Sequence, residues 1–145
     1  MIKVTVFKNL YDNKTDKNLE FDTYDGFKNF IHKASLIHYM DKGEASLITP
    51  ASFKPDTTRA NKSVVQWSGW CAVDVDDHVF AGDLQSELKA LYGQYEYICY
   101  STASSTNEHP KFRLVFPLSS DVKADDIKHF WFALNKELDD LGDPQ

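Results

Sequence analysis

The chain opens on a stretch whose apolar and polar side chains alternate, Ile2–Phe7 (IKVTVF), the period-two signature of a β-strand. The next segment, LYDNKTDKNLEFD, is polar and rich in turn formers, so it reads as a loop. The period then changes. In TYDGFKNFIHKASL, Thr23 is placed to cap a helix, and Phe27, Phe30 and Ile31 fall at helical spacing. EASLITPASF predicts a strand ending at Pro50, and KPDTTRANKSVVQWSG a long polar loop in which Arg59, Asn61 and Lys62 lie close together. WCAVDVD is a third strand. FAGDLQSELKALYG aligns Leu84, Leu88 and Leu91 on one helical face and stops at Gly93. YEYICYS and FRLVFPL predict two more strands. KADDIKHFWFALNKELDDLG is the longest helix, with Phe130, Leu134 and Leu138 as its core stripe and Asp125 and Asp126 in its first turn, where the helix dipole favours them. The order β-α-β-β-α-β-β-α predicts an α+β fold, a mixed, mostly antiparallel sheet with packed helices.

A chain of 145 residues with 42% hydrophobic content has the size of one domain with a real core, so residues 1–145 are expected to form a single unit. The net charge of −6 argues against a protein that coats duplex DNA through its overall field, but leaves room for a local basic groove. Cys71 and Cys99 both sit inside apolar runs without CxxC spacing. They read as buried thiols in a reducing compartment rather than as zinc ligands. MIKVTVFKNL lacks the apolar run of a signal peptide or a membrane span. The expectation is a soluble protein of the bacterial or host-cell cytosol, with no membrane partner.

Three carboxylates interrupt the third strand: Asp74, Asp76 and Asp77 in WCAVDVDDH. Alternation places Asp74 and Asp76 on one face with Ala72, and Cys71, Val73 and Val75 on the other. Two like charges so close share a proton or require a cation. Mg²⁺ or Mn²⁺ takes oxygen ligands and commonly uses one or two protein carboxylates, so an Asp-x-Asp strand suits metal-dependent phosphoryl or nucleotidyl transfer. The plain alternative is a strand running into a solvated turn, to which Asp77 and His78 more naturally belong.

A second constellation lies in YICYSTASSTNEHPKFRLVFPLS. Small hydroxyl residues, Ser101 and Ser104 among them, join two strands, and Arg113 on the return strand could offer a bidentate fork to phosphate. Lys111 and His109 are further phosphate-binding candidates; the plain alternative is a Ser/Thr-rich hairpin. Arg59 and Lys62 are weaker candidates for a nucleic-acid backbone. Trp67 and Trp70 could stack on a base, though core packing is the simpler role. His32, His38 and His129 carry no signal beyond a helix surface.

In order and spacing, the strand AVDVDD, the following helix and the YICYSTASSTNEHPKFRLVFPLS hairpin resemble the catalytic half of the archaeo-eukaryotic primase (primase-polymerase) superfamily. The likeness is to the domains at the front of phage and plasmid replication proteins, related to the VirE N-terminal domain. SLITPASFKPDTTRANKSVVQWSG resembles the segment that precedes the acidic strand there, and the resemblance spans roughly residues 44 to 140. It implies an RRM-like sheet paired with an α/β unit, with Asp74 and Asp76 as catalytic metal ligands for Mg²⁺ or Mn²⁺. Ser101 and the tract after it would contact the phosphates of a nucleoside triphosphate, and Arg113 would face them. The implied partners are nucleoside triphosphates, a single-stranded DNA template and a helicase domain or protein.

Two departures stand out. Ala103 occupies the position of a histidine in the superfamily's second motif, and the chain ends at DDLGDPQ without the third acidic motif, for which Asp139, Asp140 and Asp143 are poor substitutes. The sequence is therefore expected to be a C-terminally truncated or reduced version. Three functions follow: a primase or polymerase domain performing metal-dependent nucleotidyl transfer, a catalytically inactive nucleotide- or single-strand-binding module, and a metal-dependent nuclease.

Overall fold

A computed structural model describes residues 1–9, 11–14, 17–37, 45–76, 86, 88–89, 96–102, 105–106 and 108–137. Among these residues the fold is α+β, with short, wholly antiparallel sheets and two α-helices. Strand β1 (Ile2–Phe7) forms where alternation predicts it. Its neighbour β2 (Asn18–Phe21) was expected to be loop. NLEF has no buried face to betray it, since three of its four residues are exposed. Its backbone is nonetheless satisfied by pairing with β1 as an edge strand.

Helix α1 (Tyr24–Ser35) begins at Thr23, whose Oγ1 accepts from the Gly26 N–H at 3.1 Å. Its buried residues are Phe27 and Ile31. Pro50 interrupts a strand rather than ending one: β3 (Leu47–Thr49) pairs with β1, and β4 (Ala51–Phe53) belongs to the next sheet. Proline cannot donate to a ladder, so it sits where the chain passes between sheets.

The expected loop 54–69 also hides structure: a 3₁₀ turn at Asn61–Ser63 and strand β5 (Val64–Trp67). A two-residue break, Ser68–Gly69, leads into β6 (Trp70–Val75). At this break Gly69 has φ +85°, and a Cβ there would lie 3.0 Å from the Met1 carbonyl oxygen. Ser68 is buried and bonds Ser52 Oγ at 2.7 Å, and the Gly69 carbonyl accepts from the Leu118 N–H. The break thus ties three parts of the β structure together.

Of the predicted helix 80–93, only Ser86, Leu88 and Lys89 fall among the described residues; Leu84, Leu91 and Gly93 lie outside them. The hairpin of β7 (Ile98–Ser101) and β8 (Phe112–Pro117) forms as predicted. The last helix starts later than expected: a short β9 (Val122–Lys123) and a 3₁₀ turn holding Asp125 and Asp126 precede α2 (Ile127–Glu137).

The sheet β6-β8-β7 is the centre of the molecule. One face, of Cys71, Val73, Val75, Phe112, Leu114 and Phe116, packs on Leu88 and on Phe130 and Leu134 of α2. The other face, of Trp70, Ala72, Val115, Ile98 and Tyr100, packs on Phe27 and Ile31 of α1. Leu138 lies outside the described residues. No helix among them is long and apolar enough to cross a membrane.

Candidate functional site

On the α1 side of the central sheet the side chains change character along the strands. At one end Trp70 is fully buried against Phe27, and its indole N–H donates to the Lys3 carbonyl at 2.9 Å. Trp67 meets Phe130 edge to face, so both tryptophans serve packing. Two residues beyond Ala72 the same face carries Asp74, directly opposite Arg113, which is in turn opposite Tyr100. The strand periodicity that buries Val73 and Val75 therefore delivers a carboxylate, a guanidinium and a phenol to one rung.

Arg113 Nε donates to Asp74 Oδ1 and Nη2 to Oδ2, while Nη1 donates to the Tyr100 hydroxyl at 3.1 Å. The Arg113 side chain is 24% exposed and that of Asp74 39%. The fork is half-sheltered, with one flank open to solvent. Burial opposes the Arg113 charge, but Tyr100 and Asp74 outweigh it and hold the guanidinium protonated. Burial also raises the pKa of Tyr100, against the pull of Arg113, so the phenol keeps its proton. Its oxygen accepts from Arg113, which leaves the hydroxyl hydrogen to a further acceptor.

Just beyond the paired positions, Asp76 follows Val75, the last residue of β6, and Lys111 precedes Phe112, the first residue of β8. The Thr102 N–H donates to the Lys111 carbonyl at 3.0 Å. His109 curls back from the hairpin, and its Nε2 lies 2.5 Å from the Asp76 carbonyl oxygen, to which the ring donates. A guanidinium, a carboxylate and a phenol thus meet on one rung, and the Asp76 backbone, the His109 ring and Lys111 lie in the chain segments just beyond it.

A family model, that of the VapE N-terminal domain, matches residues 54–139, more than half of the chain and all of these residues. The chain belongs to the VapE N-terminal domain family. The association is with phage and plasmid replication, the coarser part of what the sequence resemblance implied. No curated protein and no solved structure matches the chain.

The remaining candidates are placed differently in this VapE N-terminal domain. Ser101 shares the parity of Phe112, so its exposed side chain leaves the sheet on the face opposite Arg113. Thr102, Ser105 and Thr106 spend their hydroxyls on the hairpin's own backbone, at Lys111 O, Lys111 N and His109 N. Short polar side chains do this readily. Ala103, Ser104, Asp77, His78, His38, Asp139, Asp140 and Asp143 lie outside the described residues. Arg59 and Lys62 are exposed and belong to the β4–β5 connection, on another sheet from Asp74. Tyr100 was overlooked in the sequence, although its alternation with Ser101 in YICYS would have put it on the Arg113 side.

Asp74 lies within β6, whereas Asp76 falls one residue past its end, and the charge of Asp74 is met by Arg113. Among the described residues no three Asp, Glu, His or Cys side chains gather in a way that could hold a metal ion. Two carboxylates and the phosphates of a substrate are nevertheless a usual Mg²⁺ donor set. Asp74 can join such a set once Arg113 has turned to another anion, and on that condition the residues fit a divalent ion.

Proposed function

We propose that this VapE N-terminal domain binds nucleoside triphosphates in a phage or plasmid replication protein and, as a primase-polymerase-type core, carries out metal-dependent nucleotidyl transfer on a single-stranded template. The observation that carries the reading is the half-sheltered Asp74–Arg113 fork between β6 and β8, with Asp76 and Lys111 in the chain just beyond those strands. A guanidinium held by a carboxylate is aligned to exchange it for phosphate oxygens of the same planar geometry. An incoming triphosphate takes the Arg113 N–H groups, Lys111 adds a second cation, and the Tyr100 hydroxyl donates to a phosphate oxygen. Asp74 is thereby released beside Asp76, and the two would hold Mg²⁺ or Mn²⁺. When bound, the ion supplies charge neutralisation on the phosphates and acidifies the attacking hydroxyl. The partners of such a domain are the template strand and a helicase domain or protein.

A second reading, nucleotide binding without turnover, is favoured by one specific fact: both Asp74 carboxylate oxygens are engaged by Arg113. Two measurements separate the readings. Calorimetry with ATP and Mn²⁺ should show binding that Arg113→Met weakens at least tenfold and Asp74→Asn strips of its metal dependence. Labelled nucleotide is then offered with Mn²⁺ and a single-stranded template. Incorporation establishes transfer, and binding alone establishes the second reading. Absence of both removes the nucleotide assignment.

A further inference from the structure

The loops of residues 8–17 and 54–62 carry six cations, Lys8, Lys14, Lys17, Lys54, Arg59 and Lys62, against three carboxylates, Asp12, Asp16 and Asp56. The combined charge is +3 in a chain of −6. The fold joins these loops. Lys14 and Thr58 form a β-bridge, and the Arg59 N–H donates to the Asn13 carbonyl at 2.9 Å. The Lys54 N–H donates to the Ser63 carbonyl at 2.8 Å, which brings Lys54 beside the Lys62 turn. All six cationic residues are exposed.

The loops are built rather than merely charged. Asp12 Oδ2 accepts from the Lys8 N–H and Oδ1 from the Lys14 N–H, which lowers the Asp12 pKa and fixes the first loop. The Arg59 guanidinium lies 5.1 Å from the centre of the buried Phe7 ring, which anchors the second loop to β1. Pro55 and Asp56, the latter at φ +58°, turn the chain sharply after Lys54. On the first loop, between Lys8 and Lys14 in the chain, Tyr11 is 81% exposed, a large aromatic side chain for which packing gives no use.

We infer that the joined 8–17 and 54–62 loops form a binding surface for single-stranded nucleic acid, separate from the Asp74–Arg113 fork. The lysines meet the phosphate backbone and Tyr11 stacks on a base. Exposed cations and an open aromatic ring on one pair of joined loops match the two requirements of a single strand, backbone charge and a stacking face. A rigid duplex offers no unstacked base to Tyr11, and the acidic remainder of the chain repels its larger charge. The inference rests on the proposed replication role only for the choice of polymer. The contacts require neither metal nor nucleotide.

The test is fluorescence anisotropy on the full chain with a labelled oligothymidylate of about 20 nucleotides, without metal or nucleotide, at about 50 mM salt. Binding should weaken with salt at a log–log slope of about −2 to −3, as expected for three or four phosphates neutralised on a single strand. The triple variant Lys14→Glu/Lys54→Glu/Lys62→Glu should lose at least tenfold in affinity and flatten the slope. Lys14→Gln/Lys54→Gln/Lys62→Gln should lose affinity with an unchanged melting curve, which guards against misfolding of the first variant. Tyr11→Ala should weaken oligothymidylate binding several-fold while leaving heparin binding unchanged. Absence of wild-type binding overturns the inference, as does wild-type affinity in both triple variants, an effect of Tyr11→Ala on heparin alone, or duplex binding as tight as single-strand binding. ATP binding by the triple variants is measured alongside. Its retention with strand binding lost supports two separate surfaces, whereas strand binding without any ATP binding leaves this inference standing and removes only the nucleotide reading.

Discussion

Gly69 is the residue on which the molecule turns. Its φ of +85° is open to glycine and strained for other residues, and a methyl group there would press on the Met1 carbonyl and on Ile2. Gly69→Ala is expected to cost about 1–3 kcal/mol, read as a lower urea midpoint. Cys71 shows a different constraint. Burial pushes its thiol to about 12 and that of Cys99 to about 11, from an ordinary value of 9.0. Both should therefore resist alkylation at pH 8 in the folded protein and react once it is unfolded. Since the folded pKa values are raised, the unfolded chain loses these protons first. The contribution to stability is complete below pH 9.0 and is lost as the pH climbs toward 11 and 12, so the melting temperature should fall through that window. The sequence neighbours of Cys71 sufficed to read it as buried, whereas Cys99, read the same way, is only partly buried. Recognising that Gly69 is indispensable required the path of β1 beside it.

Strand and helix elements show which sequence signals suffice. β1, α1, β6 and β8 each bury one or both faces, and their periodicity announces them. Thr23→Ala should cost about 1 kcal/mol, because it removes the oxygen that caps the Gly26 N–H. β2, β5 and β9 were not legible, because an edge or short strand with an exposed face owes its form to the partner that satisfies its backbone. The β6–β8 pairing has the largest consequence. Its register, Asp74 to Arg113, turns two candidates read separately in the sequence into one fork. A double-mutant cycle of Asp74→Ala and Arg113→Ala should return a coupling of about 1–3 kcal/mol, above that of an exposed pair, because the fork is bidentate and half-sheltered.

For the molecule as a whole, charge is divided rather than uniform. An acidic chain carries one basic double loop and the Asp74–Arg113 fork, and the two should answer to different ligands. A triphosphate that binds only the folded state stabilises it by about 2.7 kcal/mol at a hundredfold excess over its Kd. ATP with Mn²⁺ should therefore raise the melting temperature of the wild type and leave that of Arg113→Met unmoved. Oligothymidylate should raise both. The −6 total had suggested only that duplex coating was unfavourable, and neither surface could be located from it.

By itself the sequence determined the class of fold, the strand that bears Asp74, the hairpin that returns Arg113, and a family likeness on the side of mobile-element replication. These rest on local periods and spacings, which operate within a dozen residues. Tertiary structure decided who meets whom: that Asp74 is held by Arg113 and Tyr100, that Ser101 faces away, and that Lys14 and Thr58 bring two basic loops together. Such contacts span 39 residues of chain between Asp74 and Arg113 and 44 between Lys14 and Thr58, and depend on strand register, which hydrophobic burial across the whole sheet sets and no single segment encodes.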